Sequence, residues 1–154
     1  WAVIAACKLG RGKQAMKYYD AILPYNQNDT IEIREAEPYS YCQFIYGRDH
    51  KRHGRARHPW LTGTASWFYT AATKFILGMQ TSFQGLTIDP CIPPDWEKFE
   101  VTRQWRNAVY NIVVKNPKGV EKGITSVTLN GKSAGFPIPP QPSGSTHSIE
   151  VLMG

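Results

Sequence analysis

Long apolar runs are missing from this chain. Nowhere do about 18 consecutive apolar residues occur, so no segment reads as a membrane-spanning helix. Cysteine is scarce as well. Cys7, Cys42 and Cys91 are odd in number and far apart, which suits neither a disulfide framework nor a paired zinc-ligand motif and points to a reducing, cytosolic setting. The opening Trp1-Ala-Val-Ile-Ala-Ala-Cys-Lys has no basic start, long apolar stretch or cleavage site. It is therefore expected to be the middle of a helix and not a signal peptide. Glycine-rich nucleotide signatures, Ser-His-Asp patterns and Cys-His patterns are also lacking. Asp20, Asp29, Asp49, Asp89 and Asp95 show no pairing that suggests an acid and a base.

What is present is enough for a globular body: 154 residues, 42% of them hydrophobic, can fill one ordinary core. The net charge of +6 is unevenly placed. Arg48, Lys51, Arg52, Arg55 and Arg57 crowd one segment with His50, His53 and His58 against a single Asp49, and the sequence outside it is close to neutral.

Helical spacing runs from Ala2 to Leu9 and from Lys13 to Leu23, with Gly10 and Gly12 between them and Pro24 after them, which predicts a helical hairpin. From Tyr25 to Trp60 loop residues dominate, apart from a short alternation in Ile31-Glu-Ile-Arg, and a loop of that length is more often functional than idle. A helix is predicted from Gly63 to about Leu77. Its apolar residues cover most of the circumference, so it should be enclosed by other helices, more than this chain supplies. Beyond Gln80 the period becomes two. Leu86-Thr-Ile, Phe99–Trp105, Val109–Val114, Ile124–Leu129 and Ser148–Leu152 read as strands, with turns at Arg106-Asn107 and Asn130-Gly131 and a proline-rich loop at Pro137–Gly144. Helices thus precede about residue 82, and β structure follows.

Thr62-Gly63-Thr64 stands at the mouth of the predicted helix. The first helical turn leaves amide donors unpaired at the positive end of the dipole; glycine admits a ligand and threonine adds a donor, so a phosphate would fit. An ordinary N-cap threonine is the simpler account from local sequence. Gln43, in "EPYSYCQF", carries an amide suited to sugar hydroxyls, though on local grounds a buried glutamine holding its own loop is favoured. The basic segment has no interleaved aromatics to stack on bases, so a solvated loop is favoured over nucleic-acid binding. The spacing of its histidines matches no metal-binding arrangement.

Four blocks carry a resemblance: "LPYNQNDTIEIREAEPYSYCQ", "HPWLTGTASWFYTAATKFILG", "GLTIDPCIPPDWEKFEVTRQWR" and "YNIVVKNP". From Trp1 to about Gly131 the chain resembles the C-terminal end of the inverting β-glycoside phosphorylases of glycoside hydrolase family 94, which act on cellobiose, N,N'-diacetylchitobiose and similar disaccharides. "QFIYGRDH" and "VLMG" incline toward the chitobiose members. The resemblance implies an α+β fragment: residues 1–82 as the last helices and loops of an (α/α)6 catalytic barrel, and 83–154 as a small C-terminal β-sandwich or β-sheet domain. It implies phosphorolysis with inversion, giving an α-sugar 1-phosphate and a monosaccharide. No cofactor is implied, since inorganic phosphate is a substrate. Thr62 and Gly63 match the family's phosphate-contacting pair and Gln43 a glutamine that contacts the donated sugar. No segment matches the family's general acid, so no catalytic residue is assigned, and the chain is expected to be inactive apart from the rest of its polypeptide. The implied partners are that remainder and a second copy in a homodimer, with no nucleic acid or membrane. A non-catalytic carbohydrate-binding module, with Trp96 and Trp105 as its platform, is the alternative.

Overall fold

The computed structural model describes residues 1–154. In chain order the elements are α1 (Ala2–Lys8), α2 (Gly12–Asp20), a 3-10 helix (Pro24–Thr30), α3 (Ile31–Arg34), the strands β1 (Cys42–Ile45) and β2 (Ala56–Pro59), and α4 (Thr64–Thr70), which widens into a π-helical turn (Ala71–Ile76). Seven strands follow: β3 (Met79–Thr81), β4 (Leu86–Ile88), β5 (Lys98–Trp105), β6 (Ala108–Lys115), β7 (Ile124–Leu129), β8 (Lys132–Ala134) and β9 (Thr146–Met153). The chain divides into two compact units, residues 17–71 and residues 1–16 with 72–154.

The larger unit is built on a five-stranded sheet of order β5-β6-β9-β7-β8, accompanied by a separate two-stranded sheet of β3 and β4. Both expected hairpin turns form. Arg106-Asn107 and Asn130-Gly131 all have positive φ, the geometry whose twist matches the strands they join. The pairings Trp105↔Ala108 and Leu129↔Lys132 make both loops two residues long. β6 and β9 run parallel, and their alternation buries Ala108, Tyr110, Ile112 and Val114 beside Ile149, Val151 and Met153. Leu86, Ile88, Ile92 and Ile138 complete this core with no exposed surface. Ile138 comes from the proline-rich loop, where it exchanges two backbone hydrogen bonds of 2.8 Å with Leu86. The loop is irregular as expected, yet it delivers a core residue. Buried Cys7 donates its S–H to Cys91, which raises the Cys7 thiol and lowers that of Cys91; all three cysteines are free.

The 17–71 unit departs more from expectation. Ile31-Glu-Ile-Arg is a helical turn, not an extended alternation: Glu35, at φ 52°, closes it by donating its N–H to Ile31 at 2.8 Å. Two isoleucines, Ile31 and Ile33, cannot separate the two periods over so short a stretch. The segment read mainly as loop also contains the β1–β2 hairpin, its strands too short for a convincing period. Tyr19 and Tyr41 lean on Phe68 of α4 at ring separations of 5.2 and 5.0 Å and form the unit's aromatic cluster. The rest of α4 is half-buried or exposed. None of its residues is buried, and Trp67 and Tyr69 are 53% and 65% exposed.

Candidate functional site

β2 leads straight into the threonine-glycine segment. Cys42 pairs with Pro59 in the hairpin, and the next residue, Trp60, donates its backbone N–H to Tyr41 at 3.3 Å. The chain then turns sharply: His58 and Trp60 are both left-handed, at φ 50° and 72°, conformations that cost a non-glycine residue about 1–2 kcal/mol. At the helix entrance Thr62 Oγ1 accepts from the Thr64 backbone N–H at 3.1 Å and lies 2.7 Å from Thr64 Oγ1. Thr64 Oγ1 in turn donates to the Cys42 carbonyl at 3.4 Å. Thr62 therefore satisfies the first amide of the helix from the position before the N-cap. With the Thr64 proton on Cys42, the Thr62 proton is directed to Thr64 Oγ1, and a ligand gains it by displacing that acceptor.

Gly63 sits at the N-cap position with an ordinary φ of −80°, and a Cβ built there meets nothing nearer than Trp67 Cδ1 at 3.9 Å. Neither backbone strain nor crowding within this chain calls for glycine. Thr62 is partly exposed and Gly63 exposed, so both are open to a ligand. The Thr64–Cys42 bond ties this entrance to β1, where Gln43 is the adjacent, exposed residue and points to the opposite side from Cys42. A cavity of about 90 Å³ lies behind the entrance, with Arg34, Tyr41, Cys42 and Thr64 in its lining.

Arg34 was not singled out in the sequence. Its side chain is buried, and it donates to the carbonyls of Ala36 at 3.3 Å, Glu37 at 2.9 Å and Ser40. One guanidinium thereby shapes the segment leading into β1. Glu37, which that segment presents, accepts from the Trp60 indole N–H at 3.0 Å. That bond holds the Glu37 carboxyl below its ordinary value, helped by a backbone hydrogen bond and the Arg34 charge. An arginine after two isoleucines carries no local mark of burial, because its partners are main-chain carbonyls that any sequence would offer.

Arg48 to Arg55 of the basic segment connect β1 to β2, and Arg57 and His58 lie in β2 itself. Tyr46 and Arg55 close the connection by a backbone bond of 3.1 Å, His50 stacks on Tyr46 at 4.0 Å, and Arg55 reaches Glu35 at 2.5 Å. No group of three or more His, Cys, Asp or Glu side chains converges in a way that would hold a metal ion. Folding does bring Ser145, His147 and Asn130 together, but with the wrong proton arrangement for a nucleophile. Asn130 Oδ1 accepts from the Ser148 N–H, so its Nδ2 donates to His147 Nδ1 at 2.9 Å; Nε2–H must then donate to Ser145 Oγ, 2.6 Å away. The imidazole cannot take the serine proton, and the trio stitches turns together.

The glycosyl hydrolase 94 superfamily catalytic-domain profile matches residues 1–78, half of the 154-residue chain. This chain belongs to the glycosyl hydrolase 94 superfamily. Its similarity to superfamily relatives extends past that match. The N,N'-diacetylchitobiose phosphorylase of Vibrio proteolyticus is 62% identical over 154 residues, covering 100% of this chain and 19% of that protein. The phosphorylase of the same name from Vibrio furnissii is 58% identical over the same coverage. The solabiose phosphorylase of Paenibacillus borealis is 34% identical over 98% of this chain and 20% of its own length. The chain thus spans about a fifth of the length of these three relatives.

Proposed function

We propose that this chain is the C-terminal portion of an inverting disaccharide phosphorylase, with N,N'-diacetylchitobiose favoured over cellobiose as substrate. The identities of 62% and 58% to chitobiose phosphorylases support that order. In this reading residues 1–82 belong to an (α/α)6 catalytic barrel and 83–154 to a C-terminal β-domain, a division supported by the catalytic-domain match ending at residue 78. Phosphate attacks the anomeric carbon from the face opposite the leaving group, and a general acid from elsewhere in the polypeptide protonates the departing oxygen. Because phosphate is itself an anionic nucleophile, the protein's task at this end is to hold it in line. Thr62 and Gly63 offer hydroxyl and amide donors to that anion, and Gln43 contacts the donated sugar. The reaction calls for no cofactor, and the working form is a cytosolic homodimer, inactive when reduced to this chain.

The observation that carries the reading is Gly63: an exposed glycine that the local fold does not require, flanked by two hydroxyls at the start of a helix. A close-approaching anion accounts for it. In the full-length protein, Gly63→Ala should cost no more than about 1 kcal/mol, the preference for glycine over alanine at an N-cap, while raising the KM for phosphate about tenfold and the KM for disaccharide by less than about twofold. Unchanged phosphate kinetics in this variant would reject the assignment. The carbohydrate-module alternative finds no support in the aromatic residues. Trp96 packs edge-on to Phe99 at 6.4 Å and Trp105 lies under the Arg106 guanidinium at 5.0 Å. Phe99 and Trp105 stand near opposite ends of β5, about 20 Å apart, too far for one platform.

A further inference from the structure

Trp60 is poorly placed for an aromatic residue. Its backbone is left-handed at φ 72°, the same is true of His58, and the strain must be offset by the surroundings. Burial does not supply the offset, because the residue is 66% exposed. Three contacts hold it instead. The indole N–H donates to Glu37 Oε1 at 3.0 Å, the Tyr39 ring meets the indole edge-on at 5.7 Å, and the backbone N–H donates to Tyr41. Glu37 is itself fixed, since its carbonyl and those of Ala36 and Ser40 all accept from buried Arg34. The lowered Glu37 carboxyl stays ionised, and an ionised acceptor makes the stronger bond.

Trp60 is also two residues before Thr62. A change in its backbone angle rotates the whole Leu61-Thr62-Gly63 segment, so what fixes the indole fixes the direction of the donors. We propose that Glu37 and Trp60 are a positioning pair: their carboxylate–indole bond locks the left-handed turn that aims the Thr62 hydroxyl and the Gly63 amide. This rests on the phosphate assignment made above. Arg34 anchors the pair from below, and neither Glu37 nor Trp60 needs to touch the anion.

The test uses the full-length protein with four single variants and one double. Trp60→Phe keeps the ring and removes the donor; Glu37→Ala removes the acceptor; Glu37→Gln retains an acceptor; Thr62→Val serves as the reference. Trp60→Phe and Glu37→Ala should each raise the phosphate KM about fivefold to tenfold, the loss of one charge-assisted hydrogen bond, and leave the disaccharide KM within about twofold. Glu37→Gln should restore most of the phosphate affinity, and the Glu37→Ala, Trp60→Phe double variant should be no worse than either single. A raised phosphate KM in Thr62→Val alone, with both pair variants unaffected, overturns the positioning pair and leaves the phosphate assignment intact. An unaffected Thr62→Val overturns the assignment itself. A disaccharide KM that rises in place of the phosphate KM, or a fall in melting temperature with both KM values unchanged, also overturns the pair. If Glu37→Ala fails to fold, Trp60→Phe and Glu37→Gln decide by the same criteria.

Discussion

Tyr41 has the clearest titration consequence among the side chains of the 17–71 unit. Burial, reinforced by its neighbour Tyr19, pushes its phenol up to about 12. A raised phenol means that the neutral form is favoured in the fold. Its contribution is complete below the ordinary tyrosine value of 10.0 and is lost as pH rises from there through about 12. Tyr41→Phe should remove one late-ionising phenol from a spectrophotometric tyrosine titration of the full-length protein. Glu37 runs the other way. Its lowered carboxyl favours the fold above the ordinary glutamate value of 4.5, and that contribution is lost as pH falls through the lowered one. Trp60→Phe removes the largest cause, so the Glu37 carboxyl should move back toward 4.5, a shift that carboxyl-resolved NMR would register. Arg34 should be costly to replace: Arg34→Met leaves three carbonyl acceptors without their donor and should destabilise by about 3 kcal/mol in urea unfolding.

Two glycines separate turn geometry from packing. Gly78 ends the π-helical turn at φ +72°, and a Cβ there would lie 2.2 Å from the Asp89 carbonyl carbon. Gly131 has almost the same φ, +75°, with open space around it. Gly131→Ala should therefore cost only the left-handed penalty of about 1 kcal/mol, whereas Gly78→Ala adds a backbone clash and should cost on the order of 3 kcal/mol. The melting temperatures of the two variants provide the comparison. In the β1–β2 hairpin the cations are not equivalent, because Arg55 pairs with Glu35 and supports the connection itself. If the basic connection draws phosphate toward the site, replacing Arg52 and Arg57 by alanine, with Arg55 spared, should flatten the dependence of kcat/KM for phosphate on ionic strength.

For the whole chain, the distribution of exposed apolar surface is unequal. Trp60, Leu61, Trp67 and Tyr69 follow one another closely in the 17–71 unit and are each more than half exposed, while the five-stranded sheet buries its inner face. Apolar surface on that scale is what an element shows when its covering belongs to other polypeptide. Residues 1–154 expressed alone should therefore protect the β6 and β9 amides from hydrogen exchange and leave α4 weakly protected, with no phosphorolysis detectable. Protection of α4 should rise when the same residues are part of the full-length protein. Equal protection of α4 in both would show that it needs no outside cover.

Local chemistry was sufficient for much of this molecule. Asn130-Gly131 and Arg106-Asn107 specify tight turns because few residue pairs tolerate positive φ, and β-rich stretches mark β6 and β9 as strands, which the structure extends to eight residues each. Thr62-Gly63-Thr64 was legible as a helix entrance, because glycine and hydroxyls commonly precede a helix, but local sequence did not separate a cap from an anion site. Short elements were not legible, since the four residues of α3 and of β1 hold about one helical turn or two strand repeats, too few to tell the periods apart. Only folding could decide that Arg34 is buried beneath main-chain carbonyls, that Glu37 meets Trp60 across 23 positions, and that Asn130, 17 positions away, fixes the His147 ring. Those facts depend on distance and direction between residues far apart in the chain or facing the backbone, and neither is written in the order of the side chains.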